Sequence, residues 1–212
     1  MKINLRIINQ LFACFVVCLL VGVASSFAQI SYQIVPGVRV GAITKNVSES
    51  ELKKIYGSKN VKSDTIGLGE GETIPGTVIF PNDKNRRIEI VWKDKVKKKL
   101  PDFIQLFGEK SLWKTKEGIS LGTSLKNLEK INGKPFVLAG FEWDYSGTVT
   151  SWKGGNLGKI GQKITLRLNP ENYDKVPQKD LDAVVGDGDF SSKNKAMQRI
   201  NPKVYFIIVN FP

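Results

Sequence analysis

The chain has 212 residues, 41 % of them hydrophobic, with 32 Lys and Arg against 20 Asp and Glu, a formal net charge of +12, two cysteines and no histidine. Without histidine there is no Ser-His or Cys-His dyad and no Cys/His zinc site. A basic surplus of this size favours polyanions: anionic lipid head groups, acidic polysaccharide, nucleic acid or an acidic protein.

In chain order, Lys2 and Arg6 form a positive n-region, Leu11 to Val23 an apolar h-region, and Ser26-Phe27-Ala28 a small-residue cleavage site before Gln29. This predicts a signal peptide over residues 1–28 and a secreted or periplasmic mature chain with no transmembrane segment, the apolar run being too short to span. Leu11-Phe12-Ala13-Cys14 resembles a lipobox. Lipidation at Cys14 would strand the apolar run Phe15–Val23 directly after the lipid, which argues against it. Both cysteines, Cys14 and Cys18, fall in the leader, so the mature chain carries no disulfide. The leader has two bases and no acid, so +12 falls to +10 without it. Export makes nucleic acid the least natural partner.

Tyr32 to Gly41 alternates weakly and reads as a leading strand broken at Pro36-Gly37. Ser48 to Tyr56 reads as a short helix with Leu52 and Ile55 on its apolar face and Glu49, Glu51, Lys53 and Lys54 in water. Ser48-x-x-Glu51 is a capping box, and Gly57 supplies a left-handed stop. The period then shifts toward two, predicting strands at Val61–Leu68, Ile74–Phe80, Arg86–Trp92 and Asp102–Phe107. In the second half the expected strands are Phe136–Tyr145, Thr148–Trp152, Lys163–Leu168 and Val204–Phe211. Asn169–Arg199 reads as a polar insertion that ends in a helical turn over Asn194–Arg199.

A fifteen-residue pattern joins the halves. Ile43–Gly57 recurs as Ile119–Gly133, with Leu52/Leu128, Ile55/Ile131 and Gly57/Gly133 all 76 residues apart. That period exceeds a solenoid's. It predicts an α+β fold of two related units, each a short helix on an antiparallel sheet, over residues 29–113 and 114–212 with the insertion near 169–199. In the second copy Ser124 is the N-cap and Gly133 the terminator.

Gly122-Thr123-Ser124-x-x-x-Leu128-x-x-x-x-Gly133-x-Pro135 resembles the G-M-[ST]-x-x-x-V-x-x-x-x-G-x-P signature of the BamE (SmpA/OmlA) outer-membrane assembly lipoproteins. It is also similar to the tandem units of the β-lactamase inhibitor proteins. Asn46 takes the place of Gly122 in the first copy, and Val47 and Thr123 stand where methionine is usual. The resemblance implies a helix on a four-stranded antiparallel sheet and a non-enzymatic binder of other proteins.

Several constellations could carry chemistry. Gly118-Ile119-Ser120-Leu121-Gly122 matches a nucleophile elbow, but no histidine is present to take the serine proton. Glu142 and Asp144 alternate with Phe141, Trp143 and Tyr145; on a strand the two carboxylates would share a face within acid/base range. Asp180, Asp182, Asp187 and Asp189 could offer oxygen ligands, but the calcium-loop spacing is missing. Lys95, Lys97, Lys98 and Lys99 follow Trp92 and Lys93 as the densest basic patch, which also suits a protected sheet edge.

The expectation is therefore an exported, non-enzymatic binding module, inhibition being one form, for an envelope or extracellular protein. It needs no cofactor or metal. Trp92, Trp143, Tyr145 and Trp152, with Trp113, would make the contacts, and Lys95, Lys97, Lys98 and Lys99 would steer association to an anionic surface. The alternatives are a carbohydrate- or cell-wall-active enzyme using Glu142 and Asp144, and an envelope protein held to polyanion by charge alone.

Overall fold

The computed structural model describes residues 30–69 and 71–212, so the leader, its lipobox and both cysteines lie outside the described residues. Ser31–Pro212 forms one compact unit. Among the described residues no helix is long and apolar enough to cross a membrane.

The leading segment folds as a small sheet. Strands β1 (Gln33–Val35) and β2 (Arg39–Val40) form a hairpin across the predicted Pro36-Gly37 break, and β3 (Ile43–Thr44) extends it. Gly41, at φ +57, lets the backbone pass so close that a Cβ there would lie 2.7 Å from both Ser31 O and the Trp113 ring. Helix α1 (Glu49–Tyr56) follows, with both halves of the capping box formed. The Ser48 N–H donates to Glu51 Oε2 at 2.8 Å, and the Glu51 N–H donates to Ser48 Oγ at 3.4 Å.

The apolar face of α1 departs from expectation. Leu52 and Tyr56 are buried with Glu49, whereas Ile55 is 52 % exposed. At about 100° per residue, Tyr56 and Glu49 both lie within about 60° on one side of Leu52, and Ile55 lies about 60° on the other, at the rim of that stripe. Gly57 has the expected positive φ of +84, but its ψ of 138 carries the chain away extended instead of closing a left-handed cap.

Strands β4 (Val61–Gly69), β5 (Glu72–Ile79), β6 (Ile88–Asp94) and β7 (Lys99–Phe107) form an antiparallel meander close to the expected boundaries. Ile79, Ile88, Ile90, Trp92, Ile104 and Leu106 are buried. After β8 (Lys114–Thr115), which pairs in parallel with β1, comes helix α2 (Leu125–Asn132). Ser124 caps its start, and Gly133 ends it in a true left-handed conformation at φ 71, ψ 0. Gly122 takes φ +85, the conformation its place in the motif suggests, whereas its counterpart Asn46 is not among the positive-φ residues.

The second half holds β9 (Val137–Ala139), β10 (Val149–Ser151), α3 (Gly158–Gly161), β11 (Ile164–Asn169), α4 (Gln178–Asp182), β12 (Asp189–Ser191), α5 (Lys195–Ile200) and β13 (Lys203–Asn210). The helical turn expected at Asn194–Arg199 is α5, with Asn194 as its N-cap. The strand expected over Phe136–Tyr145 stops at Ala139. Phe141 instead exchanges backbone hydrogen bonds with the insertion, its N–H donating to Val184 O at 2.9 Å and its O accepting from Gly186 N at 3.0 Å. Residues 142–147 are bend and turn.

The main sheet runs β11-β13-β7-β6-β5-β4, so both halves contribute to it, joined by β13 and β7 from Phe206↔Phe107 to Asn210↔Phe103. Smaller sheets run β3-β2-β1-β8 and β10-β9-β12. Both helix starts dock alike: Ser48 bridges Lys99 at the start of β7, and Ser124 bridges Lys203 at the start of β13. The next amides follow suit, Glu49 N–H donating to Lys98 O and Leu125 N–H to Pro202 O.

The shifted apolar stripe has a direct test. Leu52→Ala should cost about 3 kcal/mol in urea unfolding, whereas Ile55→Ala should stay within about 0.5 kcal/mol of the parent.

Candidate interaction face

Tryptophan was the expected anchor, and the structure divides the five aromatic candidates. Trp92 is 1 % exposed, and its Nε1–H donates to Thr77 Oγ1 at 2.9 Å. Trp113 is also buried, its Nε1–H donating to Arg86 O at 2.8 Å. Both indoles complete the core, since a buried indole N–H needs an acceptor and has found one, so neither can meet a partner. Trp152 is half-buried with its ring 5.2 Å from Phe136. Trp143 is half-buried, Tyr145 is 59 % exposed, and their rings meet edge-on at 5.4 Å. These two stand in the turn after β9.

The lysine tip is also divided. Lys95, Lys97 and Lys99 are exposed, and Val96 between them is 93 % exposed. Lys98 is half-buried and turned inward, its Nζ 3.0 Å from Glu49 Oε2 and hydrogen-bonded to Ser63 Oγ. It anchors the fold and is withdrawn from the steering group.

Glu49, expected in water, is buried and accepts hydrogen bonds from Lys53, from Thr77 Oγ1 at 2.7 Å and from Ser63 Oγ at 3.2 Å. Burial alone pushes its pKa up; the hydrogen bonds from Lys53, Thr77 and Lys98 and the Lys98 charge more than offset this and hold it at about 2. A general acid or base needs a pKa near its working pH. A carboxylate locked ionised in this way serves structure.

Several of the remaining motifs bond within the fold. Ser120 Oγ donates to Trp113 O at 2.7 Å and Ser111 O at 3.2 Å, pinning the lead-in to α2 rather than presenting a nucleophile. Glu142 and Asp144 lie in the bend and turn, not on a strand, and Glu142 has φ +63, so the shared face expected of them does not form. Asp180 pairs with Arg199 at 2.5 Å, Asp182 accepts from Gln178, and Asp189 accepts from Thr150. Among the described residues no three His, Cys, Asp or Glu side chains converge on a metal position.

What sequence reading missed is a row of side chains on the outer face of the main sheet. Cross-strand register sets Arg167 of β11 opposite Phe206 of β13, and Phe206 opposite Phe107 of β7. The Arg167 guanidinium lies 5.6 Å over the Phe206 ring, and the Arg87 guanidinium 6.0 Å over the Phe107 ring. The result is a cation–aromatic–aromatic–cation row across neighbouring strands. Phe107 is 51 % exposed, and Phe206, Ile208 and Thr165 beside it are half-buried. Arg87 is paired with Glu89 at 2.6 Å, and Gln105 Nε2 donates to Glu89 at 2.7 Å. Arg167 has no carboxylate partner among the described residues. Its Nη1 donates to Asp144 O at 3.3 Å, which brings the Trp143–Tyr145 turn to the edge of the row, and its Nε is buried without a partner.

The missed signal was present in β13. Val204, Ile207 and Val209 point to the core, yet the outward positions Phe206 and Ile208 are apolar as well, where a solvated sheet face would be polar. Comparison with protein-family models, with curated proteins and with solved structures found no match.

The Glu49 cluster predicts a pH dependence. Because the folded-state pKa of about 2 lies below the ordinary value of 4.5, its contribution is fully present above about pH 4.5 and is lost as pH falls toward 2. Glu49→Gln should lower stability at neutral pH by about 2 kcal/mol and flatten the loss of stability between pH 4.5 and 2, as read from urea midpoints across that range.

Proposed function

We propose that this chain is a non-enzymatic binding module whose arginine–phenylalanine row on the main sheet docks an acidic surface on an envelope or extracellular protein, with inhibition of that protein as one outcome. The observation that carries the reading is the row Arg87–Phe107–Phe206–Arg167. It combines exposed aromatic area on the adjacent strands β13 and β7 with a guanidinium on the edge strand β11 that lacks a carboxylate. Binding hot spots draw on aromatic and arginine side chains of this kind, and Arg supplies a planar fork for carboxylates. The Trp143–Tyr145 turn forms its rim, and the exposed lysines 95, 97 and 99 add long-range steering to a chain of net charge +12.

A tandem architecture like that of the BamE and β-lactamase-inhibitor groups belongs to the same proposal. Supporting it are the matched helix docks, Ser48 on Lys99 and Ser124 on Lys203, and the pairing of the two final strands β7 and β13. Further support comes from the isolated bridge Thr148↔Arg167, which links β10 toward β11 and so continues a four-strand meander β9-β10-β11-β13 parallel in plan to β4-β5-β6-β7. The leader motif supports export.

Immobilised protein exposed to a membrane and secreted-protein extract should retain a discrete acidic partner at both low and high salt. The variants Phe206→Ala and Arg167→Ala should each weaken that partner's binding by about thirtyfold, with unfolding midpoints little changed. Retention unaltered in both variants would remove the sheet face from the interaction. Retention lost in Glu142→Gln or Asp144→Asn, with turnover of cell-wall sugars in the parent, would favour the enzyme reading.

A further inference from the structure

We infer that the groove between helices α2 and α5 is a docking site for an extended acidic peptide segment. The groove is open, about 520 Å³, and four of its lining residues are lysines: Lys126, Lys130, Lys134 and Lys193. All four are exposed, and among the described residues none forms an ion pair. The single acid of the lining, Glu129, is held by Gln198, whose Nε2 donates to Glu129 Oε2 at 2.9 Å and to Ser192 O at 2.8 Å. Like charges at i, i+4 on a helix oppose its formation; Glu129, at i, i+3 from Lys126, offsets part of the Lys126/Lys130 repulsion, and against four lysines this one acid leaves the lining with a net positive charge.

The spacing selects the ligand. One i, i+4 step, as between Lys126 and Lys130, advances about 6 Å along a helix, and Lys134 lines the same groove beyond the Gly133 terminator. Alternate residues of an extended strand recur every ~6.6 Å on one side, so acidic side chains at every second position of a peptide fall in step with Lys126 and Lys130. The lining has no aromatic residue on which a base or sugar ring could stack. It has no arginine for a bidentate grip on a phosphate either. The site reads charge at a repeat distance and little else. This inference rests on the chain being a protein binder, but it uses a surface separate from the sheet-face row.

A short fluorescent peptide of alternating Glu and Thr, titrated into the protein at low salt, tests it. The comparators are a peptide of the same composition with its glutamates in one block, and inorganic polyphosphate. The alternating peptide should bind more tightly than the blocked one and weaken steeply with salt. It should lose affinity at least about tenfold in Lys126→Gln/Lys130→Gln/Lys134→Gln, from the sum of three exposed pairs, and less than about twofold in Lys95→Gln/Lys97→Gln. It should bind Phe206→Ala and Arg167→Ala normally, so failure here and failure of the sheet face are separable. Equal binding of both peptides, or no loss in the triple variant, overturns the site. Polyphosphate binding through these lysines with the peptide silent overturns the peptide assignment in favour of a non-protein polyanion.

Discussion

One buried carboxylate sets the geometry of the first half. Glu49 occupies the first turn of α1, where the helix dipole already favours an anion, and it reaches inward to Thr77 on β5 while receiving Lys98 from the turn before β7. Thr77 in turn accepts the indole N–H of Trp92 on β6. A single side chain thus joins one helix to three consecutive strands, and every polar atom in the chain of contacts has a partner. Although burial disfavours the charge, the hydrogen bonds from Lys53, Thr77 and Lys98 and the Lys98 charge hold the carboxyl well below the usual carboxylate range.

The second half solves the same problem differently. Leu125, 76 residues after Glu49, opens α2 as a buried apolar residue. Polar anchoring has moved to the helix end, where buried Asn132 donates to Lys134 O and Trp152 O and accepts from Leu157 N. In the first half that last helical position is Tyr56, whose hydroxyl accepts from Ala42 N. The backbone docking of each N-cap is shared, while the side chains that secure the helices are not.

Much of the fold was legible because its determinants are local. Ser48, Glu51, Ser124 and Gly133 act within one helical turn, and the meander strands announce themselves by period and by Gly and Asn breaks. The failures involve partners distant in sequence. Glu49 looked solvated because its ligands Thr77 and Lys98 lie 28 and 49 positions away. Phe141–Tyr145 alternated like a strand, but Phe141 was captured by Val184 and Gly186 of the insertion. Trp92 and Trp113 were candidate anchors because bulk alone does not reveal which side of a sheet a ring occupies. Of the row Arg87–Phe107–Phe206–Arg167 the sequence showed only the apolar outward positions of β13; its assembly depends on strand register that sets Phe206 beside Phe107, 206 − 107 = 99 positions earlier.

The proposed recognition row lies on hydrogen-bonded strands with a loop rim, apart from the exposed lysine tip. Such a face is preorganised, so little ordering cost falls on binding. Hydroxyl-radical footprinting of the protein with and without its captured partner tests this most directly, since it reads individual side chains. Docking through the row should reduce oxidation of Phe107, Phe206 and Tyr145 in the complex and leave Val96 at the lysine tip unchanged. Protection of Val96 with Phe107 and Phe206 as reactive as in the free protein would contradict it.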